Sequence, residues 1–153
     1  MKASDAATDL ILETFRLNGS LLAAGDAMVA DLGLTSARWQ VLGAIALSPV
    51  PLPVAHIARN MGLTRQAVQR LINEMARDGL VRFTTNPHHK RARLILLTER
   101  GKAAYGAAMR RQTPWAKEIA RGLTVKQIAD ATAVLRSVQQ RLAAAAGKGA
   151  VNA

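Results

Sequence analysis

Residues 64–79 read TRQAVQRLINEMARDG, and the fold turns on this stretch. Thr64 offers a hydroxyl that can accept a first-turn N–H, and Gly79 stands where a helix closes in the left-handed conformation. Between them Val68, Leu71, Ile72, Met75 and Ala76 recur at helical spacing and predict one buried stripe. The opposite face holds Arg65, Gln66, Gln69, Arg70, Asn73 and Arg77, with Glu74 its single acid before Asp78. Arginine can bond guanine, and glutamine or asparagine can bond adenine, through paired hydrogen bonds, so this face carries groove-reading chemistry. A polar helix face standing alone is ordinarily just solvated. Its neighbours in the chain decide the matter.

Upstream, Val54 to Asn60 predicts a short helix with Val54, Ile57, Ala58 and Met61 apolar and Gly62 as its stop; His56 reads as an ordinary helix residue. The three-residue link Gly62-Leu63-Thr64 joins two short helices through a tight glycine turn, which is a helix-turn-helix pattern. Downstream, the apolar period drops from 3.6 to 2. Leu80–Thr85 and Ala92–Leu97 read as strands around the polar turn Asn86-Pro87-His88-His89-Lys90-Arg91, so the pair is a β-hairpin. Its tip has two imidazoles, a lysine, an arginine and no acid. A hairpin after a helix-turn-helix is a wing, and a basic tip there suits phosphates or a minor groove.

Further out, the pattern from Thr8 to Asp31 (Leu10, Ile11, Phe15, Leu17, Leu21, Leu22, Met28, Val29) predicts a first helix with a wide apolar face, closed by Gly33. Thr35 and Ser36 can cap a second helix whose Trp39, Leu42, Ile45 and Ala46 face inward. Pro49, Pro51 and Pro53 then make a stiff connector, in which Leu52 is the residue to reach the core or pair with a strand. Thr98 starts a helix running to about Gly122, broken or bent near Pro114. Thr124 caps the last helix, where Ile128, Leu135 and Leu142 repeat every seven residues, interleaved with Ala131 and Val138, as a narrow coiled-coil-like seam. The alanine run 143–146 and the tail beyond it are expected to fray. The fold class is therefore mainly α with a small β-hairpin wing: residues 1–34 an N-terminal helix, 35–101 the winged helix-turn-helix, 102–153 the C-terminal helices.

Charge supports a polyanionic partner. The 153 residues carry a net charge of +11, distributed as −3 over residues 1–34, +7 over 35–101 and +7 over 102–153. A basic middle behind an acidic start favours nucleic acid over membrane. No apolar run reaches the roughly 18 residues a membrane span requires, and no cleavable signal pattern opens the chain, so the expected location is cytoplasmic. The absence of cysteine excludes disulfides, thiol switches and Cys-ligated zinc, and the three histidines have no ligand spacing with carboxylates. With no nucleophile–base pair, paired carboxylates or phosphate loop, no enzyme is expected.

In order and spacing, "LTSARWQVLGAI", "IARNMGLTRQAVQRLINEMARDGLV" and "NPHHKRARLILLTERG" resemble the MarR (multiple-antibiotic-resistance regulator) family of bacterial transcription regulators. The resemblance implies a homodimer binding a pseudo-palindromic double-stranded DNA site, usually as a repressor. It implies a recognition helix at 64–78, a wing at 85–93, and first and last helices that pair across the dimer. It implies no cofactor, but a small effector, commonly phenolic or anionic. On this reading Gln66, Gln69 and Arg70 supply base-edge contacts, and Arg65, Asn73 and Arg77 lie nearer the phosphates. Arg91 enters the minor groove with Lys90, His88 and His89 beside it. Leu10, Ile11, Leu17, Leu21, Ile128, Leu135, Val138 and Leu142 meet the dimer mate. Two departures stand out. His89 occupies the place of a usual aspartate before two basic residues, and Pro53 that of a usual capping Thr or Ser. With no thiolate to oxidise, the oxidation-sensing branch of the family is excluded. The rival reading is a winged-helix module for non-specific nucleic-acid or protein binding, which would track salt alone.

Overall fold

The computed structural model describes residues 2–151, with side chains described for residues 2–147. It comprises six α-helices and a small sheet: α1 (Ala3–Val29), a 3-10 turn (Ala30–Leu32), α2 (Ser36–Ala46), β1 (Leu52–Pro53), α3 (Val54–Met61), α4 (Arg65–Arg77), β2 (Val81–Thr84), β3 (Leu94–Leu97), α5 (Glu99–Ile119) and α6 (Val125–Val151). The chain divides into two units, residues 1–113 and 114–153.

In the first unit, α1 starts five residues before the expected Thr8, because the Asp5 carboxylate accepts the Lys2 N–H at 3.1 Å and satisfies a first-turn donor. It also ends earlier than Asp31, its last residues tightening into the 3-10 turn. Gly25 is buried where α2 approaches α1. There the Ser36 hydroxyl donates to the Leu22 carbonyl at 2.8 Å, and the Ser36 N–H donates to Asp26 at 2.7 Å. A Cβ at position 25 would press on the Ser36 hydroxyl and disturb its bond to Leu22, and glycine leaves that space open. Nearby, Arg111 of α5 donates to both Asp31 oxygens, one at 2.8 Å, and to the Met28 carbonyl at 2.8 Å. The Arg111 hydrogen bond holds the Asp31 carboxyl below its ordinary range.

The second helix is capped as expected, Thr35 accepting the Arg38 N–H at 3.2 Å. Its buried face is Val41, Leu42 and Ile45, while Trp39 is half-buried and Ala46 is exposed. The expected inward Ala46 fails because it lies one residue, about 100°, beyond Ile45 around the helix. Core residues from α1, α2, α3, α4 and β3 meet: Val29, Val41, Leu42, Ile57, Val68, Ile72, Met75 and Ile95 are all fully buried. Each such aliphatic side chain contributes about 1.5–3 kcal/mol over its exposed state.

The connector does more than stiffen the chain. Leu52 is buried and also pairs opposite Ile95, so the expected two-stranded hairpin is a three-stranded antiparallel sheet of order β1-β3-β2. Pro53 is tolerated because β1 is an edge strand. Across the hairpin Val81 faces Leu97 and Phe83 faces Ile95.

One joint fixes the hairpin to the helices around it. The Thr98 hydroxyl donates to the Gly79 carbonyl at 2.6 Å and lies 3.1 Å from the Leu80 carbonyl, while accepting the Gly101 N–H at 3.0 Å. The Thr98 N–H donates to the Leu80 carbonyl at 3.2 Å. Gly101 is buried against that same carbonyl.

The fifth helix is not broken at Pro114 but runs through it to Ile119. It stops short of Gly122, which adopts φ 81° while the Leu123 N–H closes onto Ala120 at 3.0 Å. In the second unit, Thr124 and Gln127 form a reciprocal cap on α6, with bonds of 3.1 Å and 2.8 Å. That helix continues through the alanine run 143–146 to Val151 rather than fraying there. Residues 152–153 of the expected tail lie outside the described residues. Among the described residues no helix is long and apolar enough to cross a membrane.

The Thr98 joint yields a stability prediction. Gly101→Ala drives a Cβ into the Leu80 carbonyl oxygen, a backbone atom that cannot rotate away, and should cost about 3 kcal/mol or more. Gly25→Ala meets only a serine hydroxyl that can turn aside, and should cost less. Denaturant melts of the two variants check the ranking.

Candidate nucleic-acid interface

The recognition stretch folds as its ends dictate. The Thr64 hydroxyl accepts the Ala67 N–H at 3.2 Å, and after Arg77 the chain turns through Gly79 at φ 74°, with the Leu80 N–H reaching back to Met75 at 2.9 Å. Val68, Ile72 and Met75 are fully buried and Leu71 and Ala76 are half-buried, so the stripe faces the core. The outer face of α4 is thereby presented to solvent. Arg65, Gln66, Gln69, Arg70 and Asn73 share one shallow surface there. Gln69 donates to the Asn73 carbonyl oxygen at 3.0 Å, which sets both amides side by side. Each keeps a free N–H, so the pair retains donor and acceptor groups for a base edge. Arg77 is exposed one turn further on, outside that surface.

Between α4 and the wing lies a groove of about 420 Å³. Arg65, Gln69 and Asn73 form its helix wall, and Phe83, His89, Arg91 and Arg93 its wing wall, with Pro53 and the start of α3 at one end. Among the described residues no carboxylate lines it. The structure thus brings five of the sequence-named residues around one groove, leaves Gln66 and Arg70 on the adjoining helix face, and holds His88 and Lys90 exposed at the tip.

The acids of the recognition segment point elsewhere. Arg38, mostly covered on α2, pairs with Asp78 at 2.7 Å and lies 4.0 Å from Glu74. Such a half-exposed pair contributes only about 0–1 kcal/mol, yet it ties both acids to α2. The sequence reading missed Arg38, since no local spacing links residue 38 to residue 78.

It also missed what shapes the wing. Asn86, nearly buried, donates to the Ala92 carbonyl at 2.9 Å and accepts the His88 N–H at 3.0 Å. The His89 N–H bonds the Asn86 carbonyl at 3.3 Å, and the Ala92 N–H bonds the His89 carbonyl at 3.0 Å. The side chain of Asn86 therefore bridges the loop where an aspartate at position 89 is missing. Arg93 was missed too: its guanidinium carbon lies 4.0 Å from the centroid of the Phe83 ring. Pairing of Phe83 with Ile95 makes Arg93 its diagonal cross-strand neighbour, a signal available once the register is known.

A tight helix pair whose second member is exposed on one face, followed by a basic hairpin across an acid-free groove, defines the winged helix-turn-helix class of DNA-binding protein. The sequence profile of the MarR family matches residues 32–92. An uncharacterized protein of Mycobacterium tuberculosis is 37% identical over 108 residues, covering 71% of this chain and 74% of that one. The transcriptional activatory protein BadR of Rhodopseudomonas palustris is 31% identical over 100 residues, 64% of this chain and 57% of that protein. Among solved structures, the M. tuberculosis transcriptional regulator MosR in complex with DNA is 26% identical, with a TM-score of 0.73 over 86% of this chain and 96% of that one. CouR from Rhodococcus jostii RHA1, bound to p-coumaroyl-CoA, shares the fold at 23% identity, with a TM-score of 0.77 over 86% and 92% of the two chains. Residues 32–92 thus match the MarR family of transcription regulators, and the chain shares its fold with solved transcription regulators. The family is one of DNA-binding regulators and not of enzymes.

Asn86→Ala should strip the wing of its internal bridge, leaving the Ala92 carbonyl without its partner, at a cost of about 1–3 kcal/mol confined to the loop. Amide exchange should accelerate at His88 and Ala92, while far-ultraviolet circular dichroism reports unchanged helix content.

Proposed function

We propose that the protein is a sequence-specific regulator of double-stranded DNA, acting in the cytoplasm as a homodimer on a pseudo-palindromic operator. The observation that carries this reading is the acid-free groove between α4 and the wing. A groove lined by cations and amides, with its acids drawn off to Arg38, suits the phosphate backbone while leaving base-reading groups in front. Gln66, Gln69 and Arg70 are assigned to base edges, and Arg65, Asn73 and Arg77 to flanking phosphates. Arg91 enters the minor groove, accompanied by Lys90, His88 and His89. Its place on the groove wall, beside the helix residues, supports that assignment.

The homodimer is supported by apolar faces that a lone chain leaves wet. On α1, Ile11, Leu17 and Leu21 are exposed, as is Phe15 at 71%. On α6, Ile128, Leu135 and Leu142 are exposed and Val138 is half-covered, as is Leu10 on α1. Scattered exposed leucines are ordinary, but rows of them along two helices mark an interface. A second copy also supplies the second recognition helix that a half-site spacing of roughly 34 Å requires.

Occupancy of such an operator represses by blocking the promoter, and a small phenolic or anionic effector relieves it. CouR's complex with p-coumaroyl-CoA supports the effector; the activator BadR makes transcription from an operator-bearing template the measurement that fixes the sign.

Arg70→Ala should cost about 1–3 kcal/mol on a site selected from random duplexes and flatten base preference there. Arg91→Ala should weaken all duplexes alike and lower the salt slope by roughly one unit. Equal losses for Arg70→Ala on selected and random DNA would reject base reading and favour a non-specific module.

The interface is checked separately by sedimentation. Leu135→Glu places a charge where burial without a partner is prohibitive, and the folded variant should sediment as a monomer with most operator affinity lost. Retention of the dimer would show that the seam lies elsewhere.

A further inference from the structure

The geometry points to Arg93, braced by Phe83, as a phosphodiester-binding residue at the junction between recognition helix and wing. This inference rests on the DNA-binding reading above and adds to it a contact at the base of the wing, distinct from the tip residues Lys90 and Arg91.

Three observations carry it. The Arg93 guanidinium lies over the Phe83 ring at 4.0 Å, and among the described residues no carboxylate lies within ion-pair distance of it. Stacking engages the face of the guanidinium and leaves its in-plane N–H donors free, and those donors match two oxygens of one phosphate. Arg93 shares the groove wall with Arg91 and faces Arg65 across it. Three arginines gathered around one groove without an acid repel one another in the free protein. A polyanion entering the groove reverses that repulsion.

The position fits a backbone phosphate rather than a base. Arg93 lies just before β3, two residues beyond Arg91. A DNA strand running from the groove occupied by α4 to the one entered by the wing tip must pass this point. Phe83 holds the cation there in advance, so little side-chain freedom is lost on binding.

The test measures affinity of the full-length chain for a selected duplex and a random one across a salt series. Arg93→Gln should weaken both duplexes by about tenfold or more and lower the slope of log affinity against log salt by roughly one unit. Phe83→Leu keeps the charge but removes its brace; it should weaken both by roughly two- to fivefold with the wild-type slope. Phe83→Tyr, which keeps the ring, should match the wild type and controls for packing of this half-buried residue. Wild-type affinity for Arg93→Gln overturns the inference. So does a weakened Arg93→Gln with the wild-type slope, because Arg93 would then only stiffen the wing. In either case, salt-dependent duplex binding by the wild type leaves the DNA-binding reading standing, whereas its absence removes that reading as well.

Discussion

The hydroxyl of Thr98 holds the two working parts of this molecule in register. It donates to the Gly79 carbonyl beside that of Leu80, and it accepts the first-turn N–H of Gly101. Four elements converge on that atom: the end of α4, the start of β2, the end of β3 and the start of α5. Both walls of the groove are anchored there, the helix wall by its C-terminus and the wing wall by both roots of its hairpin. The small residue at 101 lets α5 close upon the Leu80 carbonyl, so the joint is a backbone-to-backbone contact with almost no slack. Ile72, Met75 and Ile95 are fully buried in the core beneath the sheet and helices.

The charge pattern follows from the same frame. Asp26 is engaged by the Ser36 N–H, Asp31 by Arg111, Glu99 by Lys102 and Asp78 by Arg38. None of these partners lies in the groove. The cations there, Arg65, Arg91 and Arg93, are left without a carboxylate among the described residues. The net charge of +11 is thus not spread evenly along the chain, and the groove between α4 and the wing is lined by cations with no acid among the described residues.

Much of this was legible in the sequence, because the rules involved are local. Thr64 and Gly79 bound a helix by caps, the Gly62-Leu63-Thr64 turn sets the next one against it, and the change of period after Gly79 announces strands. The resemblance to the MarR family rests on those same segments. What escaped was set at a distance. Arg38 finds Asp78 across the fold, and Arg93 finds Phe83 only through the register of β2 with β3. Ala46 was assigned inward on composition, while its angle around α2 placed it in solvent. Asn86 looked like one more polar turn residue, since nothing in a hexapeptide tells which amide will face inward. The β1 strand is intermediate: Leu52 stood out as the lone apolar anchor among prolines, but its partner Ile95 could not be read from them.

The internal bonding of the wing has an evolutionary corollary. The bonds found across residues 86–92 run between backbone groups or through the side chain of Asn86. His88, His89, Lys90 and Arg91 contribute no side chain to that scaffold, so their identities are uncoupled from the loop's shape, whereas the ring of Pro87 fixes its own φ. Such a segment behaves as an exchangeable cassette. Its charge and length of reach can drift, or be rewritten by design, without a compensating change in the core. A mutation at 86 has no such freedom. Variation that the core tolerates should therefore concentrate at residues 88–91, behind one fixed amide.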